Sequence, residues 1–167
     1  MSGKIRIRMG GKIIEGGRVF RIYKTEKKKI EGKPERVIFY RPYFKDESVR
    51  TITCSIPESN LNETSIRNPV STKELKEVLY MLAKKMRGGR PLDINRAKVE
   101  LTLNDLMVTA KIVRRYWREK QKSPENFTKT KDRVLEQAMR RLCEEFAVVQ
   151  KTSLVSAEKS ILRVLGG

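Results

Sequence analysis

The 167-residue chain has no histidine and only two cysteines. Without histidine there is no Ser–His–Asp or Cys–His catalysis, and most catalytic zinc sites are excluded. Cys54 and Cys143 lie too far apart for a CxxC pair and are too few for a disulfide framework. They read as small buried apolar residues in a reducing compartment. No apolar run approaches the ~20 residues needed to span a bilayer. The N-terminus, MSGKIRIRMGG, lacks the apolar segment of a signal peptide. A cytoplasmic protein with no membrane partner is therefore expected.

Phosphate loops are lacking too. Eight of the ten glycines fall as pairs at 10–11, 16–17, 88–89 and 166–167, and none of the ten precedes Lys-Ser or Lys-Thr. Asp46–Glu47 and Glu144–Glu145 are adjacent residues, whose carboxylates do not converge on one point. No catalytic residue, metal, cofactor or small-molecule substrate is expected, and an enzyme is not the reading.

What the chain does have is positive charge. Thirty-eight Lys and Arg stand against twenty Asp and Glu, a formal net charge of +18. Cations that neutralise phosphates release condensed counterions, so this balance favours polyanionic partners. Residues 1–70 carry an excess of +8 and residues 71–167 one of +10, so the charge is not a detachable tail.

The apolar period changes along the chain. To about residue 57 it is strand-like: KIRIRMG, KII, RVFRIYKTEKKKI, ERVIFYRPYF and SVRTITCSIP, separated by turn signals at GG (16–17), EGKP (31–34) and KDES (45–48). Five short strands predict a small antiparallel β-barrel of SH3 or Tudor type over 1–68. Over 69–167 the period is helical, which predicts an all-α bundle of four to five helices and an α+β protein overall. Ser71…Glu74 reads as a capping box. A helix follows to about Met86, then a short amphipathic segment over 90–103. Asn104 is the expected cap of a long helix to Lys122, and Thr128 that of a helix to Gln150. A last helix opens at Ser153.

The long helix holds KIVRRYWREK, residues 111–120, with the only tryptophan. Leu106, Ala110, Val113 and Trp117 recur at helical spacing, which places Trp117 in the core. Lys111, Arg114, Arg115 and Arg118 fall on the other sectors, where they form a candidate phosphate-facing surface.

Taken together, these segments resemble the CarD/CdnL transcription regulators of bacteria. The N-terminal half also resembles the polymerase-interacting module of transcription-repair coupling factors. The resemblance rests on GG-RVFRIYKTEKKKIEGKPERVIFY with its I-x-G turn at Ile30–Gly32, on I-P-x-x-N at Ile56–Asn60, and on I-R-x-P-V-S at Ile66–Ser71. The helical stretches ELTLNDLMVTAKIVRRYWREKQ and FTKTKDRVLEQAMRRLCEEFA complete it. It implies a Tudor-like module that binds the β subunit of bacterial RNA polymerase. It also implies a helical domain that touches promoter DNA at the upstream edge of the melted bubble and stabilises the open complex. The protein would then act as a monomer at the nucleoid. The family's polymerase contact maps onto Lys28, Lys29, Arg50 and Ser55; Ser55 stands where the family often has arginine. The family's minor-groove tryptophan maps onto GGRPLDINRAKVE, which has no aromatic. There Leu92 is the candidate wedge and Arg90 the candidate groove cation. Arg87, Arg96, Lys98 and Arg115, with Arg114 and Arg118, are the candidate phosphate contacts. Two other readings need no polymerase: a general basic nucleic-acid-binding or ribosome-associated protein, and a protein–protein adaptor with solubilising charge.

Overall fold

The computed structural model describes residues 5–45, 52–85 and 88–166. The protein is α+β, and the chain divides into two compact units, Met1–Pro69 and Val70–Gly167.

The first unit is a curled, four-stranded antiparallel sheet in the order β1-β2-β3-β4, with β1 at Lys12–Glu15, β2 at Arg18–Ile30, β3 at Lys33–Pro42 and β4 at Cys54–Pro57. The sequence predicts five strands, but KIRIRMG is not one of them among the described residues. Gly10 and Gly11 tie this segment to β2: Gly10 N–H donates to the Ile22 carbonyl at 2.9 Å, and Ile22 N–H donates to the Gly11 carbonyl at 2.9 Å. Gly10 has φ +73°, a left-handed turn that breaks the strand and is open to glycine. Ile5 and Ile7 still pack on the core as their alternation suggests. That core is Ile13, Ile22, Ile38, Tyr40, Leu61 and Ile66. The Tyr40 hydroxyl donates to Glu15 Oε1 at 3.1 Å, and burial first, then Glu15, pushes its pKa upward.

Both hairpin turns have two residues at positive φ: Gly16 and Gly17 (54° and 75°), and Glu31 and Gly32 (49° and 79°). This is the type I′ pattern, whose twist matches that of the flanking strands. Glu31 is the unfavourable member, because a side chain at positive φ is strained unless it is Asn, Asp or Gly. Glu31→Asn is expected to stabilise the unit by about 0.5 kcal/mol. Thermal unfolding that shows a lower Tm for the variant would contradict this.

Among the described residues the second unit has five α-helices: α1 at Thr72–Ala83, α2 at Ile94–Thr102, α3 at Leu106–Lys122, α4 at Lys129–Gln150 and α5 at Leu154–Gly166. The Ser71 capping box forms as expected, with Glu74 N–H on Ser71 Oγ and Ser71 N–H on Glu74 Oε2. Thr128 caps α4 as expected. The cap of α3 is Asp105 rather than Asn104: the Asp105 carboxylate accepts from Val108 N–H at 2.8 Å. Asn104 lies one residue earlier, buried and left-handed at φ +53°, where it turns the chain from α2 into α3. Asn tolerates this conformation better than most residues.

The C-terminal half of α4 is buried on all sides, from Leu142 to Phe146 and Ala147. This run includes Glu144 and Glu145, each 1% exposed. Glu144 pairs with Arg140 at 3.2 Å, and Glu145 accepts from Val70 N–H at 2.8 Å. Two guanidinium groups hold helix ends: Arg114 donates to the Met81 carbonyl of α1, and Arg141 to the Leu101 carbonyl of α2 at 2.7 Å. Carbonyls in the last turn lack the usual i+4 donor, so a cation there completes their hydrogen bonding and favours the dipole; the Met81 carbonyl also accepts from the Lys84 N–H at 3.3 Å.

Candidate functional site

In the sheet unit, pairing decides which polar side chains share a face. Directly opposed residues on neighbouring strands point the same way, and successive residues alternate. Phe39 lies between Lys24 on β2 and Ser55 on β4. Lys24, Glu26 and Lys28 follow at steps of two, so Lys28 and Ser55 meet on one face around Phe39. Lys29, opposite Pro34, points to the other face. Ser55 is exposed, and Lys28 has its Nζ 5.1 Å from the Phe39 ring centre. Lys24 reaches Glu26 at 3.0 Å, and the hydrogen bond between them is the main reason the Glu26 carboxyl sits below its usual range. Arg50 lies outside the described residues.

Strand β4 ends the sheet and pairs with β3 alone. Its outer row of N–H and C=O groups has no strand partner among the described residues. Such an edge is a template for another extended segment.

In the helical unit the expected DNA residues scatter. Arg90 is exposed in the segment before α2. Leu92, the expected wedge, is 5% exposed, and its carbonyl accepts from the buried Tyr116 hydroxyl at 3.2 Å. As placed, its side chain belongs to the core. On α2, Arg96 is exposed but turns back to Glu100 at 2.8 Å, while Lys98 is exposed about half a turn away. Arg114 is occupied with the Met81 carbonyl. Burial, followed by the neighbouring Arg118 and Arg115 charges, depresses its pKa. Its first task is to hold α1 against α3. Arg87 lies outside the described residues.

One cationic arrangement is continuous. Lys111, Arg115, Arg118 and Lys122 follow on α3 at steps of four, three and four, which places them on one line along the helix. Lys111, Arg115 and Lys122 are exposed and Arg118 is half-buried. The line rises about 16 Å at 1.5 Å per residue. Two acidic residues of α3 and α4 pair with other lysines: Glu119 with Lys131, and Asp132 with Lys120 at 2.6 Å. Of the expected phosphate-facing surface, Lys111, Arg115 and Arg118 join this line, and Lys122 extends it. Helical spacing was the sequence signal for Lys122.

Trp117 is half-buried and stands at the margin of the core. The buried sector of α3 is Leu106, Thr109, Ala110, Ile112, Val113 and Tyr116. The expected stripe of Leu106, Ala110, Val113 and Trp117 follows one side of this sector. The helix packs against α1, α2 and α4, so the buried sector is wide and takes in Tyr116 on the side away from Trp117.

Among the described residues, no group of three or more His, Cys, Asp or Glu side chains is placed to hold a metal ion. No helix there is long and apolar enough to cross a membrane. No family model matches the chain, and a search of curated proteins finds no match either.

Proposed function

We propose that the protein is a non-enzymatic transcription regulator. In this reading the sheet unit binds the β subunit of bacterial RNA polymerase and the helical unit binds promoter DNA beside the melted bubble. The observation that carries the reading is the open edge of β4, with Ser55 and Lys28 on the adjoining face. An extended polymerase segment pairs with that edge through main-chain hydrogen bonds, and the lysine supplies a rim charge. The DNA contact is the α3 line of Lys111, Arg115, Arg118 and Lys122, which neutralises phosphates without reading bases. Two modest contacts on one chain act at high effective concentration, so each can be weak alone. The Tudor-like character of the sheet and the likeness to CarD/CdnL regulators belong to the same reading. The general nucleic-acid-binding alternative is favoured by one observation: the α3 line requires no polymerase.

The test measures retention of the full chain on an immobilised polymerase β-subunit fragment, together with open-complex lifetime on a promoter. Wild type is expected to be retained and to lengthen the lifetime. Lys111→Glu/Arg115→Glu is expected to be retained equally and to lose the lifetime effect. Absence of retention, with nucleic-acid binding that polymerase leaves unchanged, replaces this reading with the general one.

A further inference from the structure

The face of the sheet that carries Phe39 also carries a row of like charges. Lys12 on β1 lies directly opposite Arg21 on β2, and Arg21 lies directly opposite Arg41 on β3. Neighbouring strands are about 4.8 Å apart, so three cations stand in line within about 10 Å. Like charges directly opposed across strands destabilise a sheet. Among the described residues none of the three forms an ion pair with a carboxylate. Arg21 and Arg41 are exposed.

A β-bulge adjoins this row. The register shifts between Ile22 and Lys24, so Tyr23 and Lys24 together oppose the single residue Phe39. A bulge re-aims side chains, and this one brings Tyr23 beside Phe39, with ring centres 6.4 Å apart. Arg41 lies 5.1 Å from the Tyr23 ring centre and Lys12 lies 5.0 Å from that of Tyr43, which is 40% exposed. Aromatic faces hold cations in place by their quadrupole. The arrangement is a line of fixed cations bordered by aromatic rings on a sheet surface.

We infer that this face is a binding platform for single-stranded nucleic acid. Phosphates neutralise the Lys12–Arg21–Arg41 row, and bases stack on the Tyr43 and Tyr23 rings and on the arginine planes. An acidic peptide satisfies the charges but leaves the rings without planar partners. A duplex offers phosphates but keeps its bases stacked inside. Single strands satisfy both halves of the surface. The proposal goes beyond the polymerase reading and does not depend on it.

The test uses the full chain and a fluorescein-labelled dT oligonucleotide, with anisotropy read across a salt series. For single strands, each phosphate contact contributes about 0.7 to the log–log salt slope. Arg21→Gln/Arg41→Gln is therefore expected to reduce the slope by about 1.4, and to weaken binding about 25-fold at 0.1 M salt. Its Tm at low ionic strength, without nucleic acid, is expected to equal or exceed that of wild type, because a repulsive pair is gone. Tyr43→Leu is expected to lower affinity for the single strand and to leave duplex affinity unchanged. Unchanged slope and affinity in the double variant overturn the proposal. So does loss of β-subunit retention in that variant with unchanged oligonucleotide affinity, which assigns the row to a protein partner. If wild type binds poly-Glu as tightly as the oligonucleotide, an acidic peptide replaces the nucleic acid. Failure of polymerase retention in wild type leaves these measurements standing.

Discussion

Tyr116→Ala is expected to destabilise the helical unit by about 4 kcal/mol, the cost of truncating a fully buried aromatic and leaving a cavity. Tyr116 is 0% exposed and meets Phe127 edge to face at 5.9 Å. Its hydroxyl is the donor that satisfies the Leu92 carbonyl, so truncation also orphans that acceptor. Tyr116→Phe separates the two contributions: it keeps the ring and is expected to cost only about 1 kcal/mol. Burial first, then Glu119, Asp93 and Glu100, pushes the phenol pKa up to about 12. An unfolded tyrosine ionises near 10. The native state therefore keeps the proton longer. The resulting stabilisation is complete below about pH 10 and is lost as pH rises towards 12. Urea unfolding of the three proteins, repeated from pH 8 to 11.5, checks both parts. A Tyr116→Ala loss under 1 kcal/mol contradicts the assignment, and so does a Tyr116→Phe variant as alkali-sensitive as wild type. The half-buried Trp117 is expected to be the lesser loss, about 1–2 kcal/mol on truncation to alanine.

Glu145→Ala is expected to cost about 3 kcal/mol, through a part-buried donor left without its acceptor and a cavity beside the C-terminal half of α4. The donor is Val70 N–H, immediately before the Ser71 cap of α1. Glu145 thus fixes the entry of the chain into α1 from a helix 75 residues away in sequence. Glu145→Gln keeps an oxygen acceptor of nearly the same shape and is expected to retain more of the stability than alanine. Hydrogen exchange at the Val70 amide gives a local readout. Protection that is unchanged in Glu145→Ala shows that the bond does not hold the entry into α1.

The sequence pattern located most elements because their signals are local. Ser71 with Glu74, Thr128 and the glycine pair at 16–17 each act within three or four residues, so their roles can be read from spacing alone. Asn104 shows the limit: Asn and Asp are both good caps, and choosing Asp105 required the backbone conformation that places Asn104 in the turn. Tyr116 and Trp117 show another limit. Periodicity fixes the direction of a buried sector only to within its width, and α3 packs against three helices. Glu144 and Glu145 look like surface acids until the packing around α4 is known. The candidate sites divide in the same way. The α3 line follows from helical spacing and is visible in the sequence. The Lys12–Arg21–Arg41 row depends on the register of three strands and on a bulge at Tyr23, and neither is encoded in any short window. Leu92 is the apolar residue that the resemblance offers as a smaller wedge, yet its own surroundings bury it.

The strand order of the sheet has a kinetic consequence. In β1-β2-β3-β4 every strand pairs with its neighbour in sequence, and the first two pairings are closed by two-residue turns. Such contacts form with little loop-closure entropy, so the meander belongs to the fast-folding end of β topologies. The isolated bridge between Ile14 and Arg67 differs, with both main-chain hydrogen bonds made across 53 residues. That closure brings the end of the unit back to its first strand and is the natural last step. Interactions formed after the transition state slow unfolding rather than speed folding. The Ile14–Arg67 bridge therefore acts as a latch, setting how long the finished sheet stays closed and leaving the speed of its assembly to the hairpins.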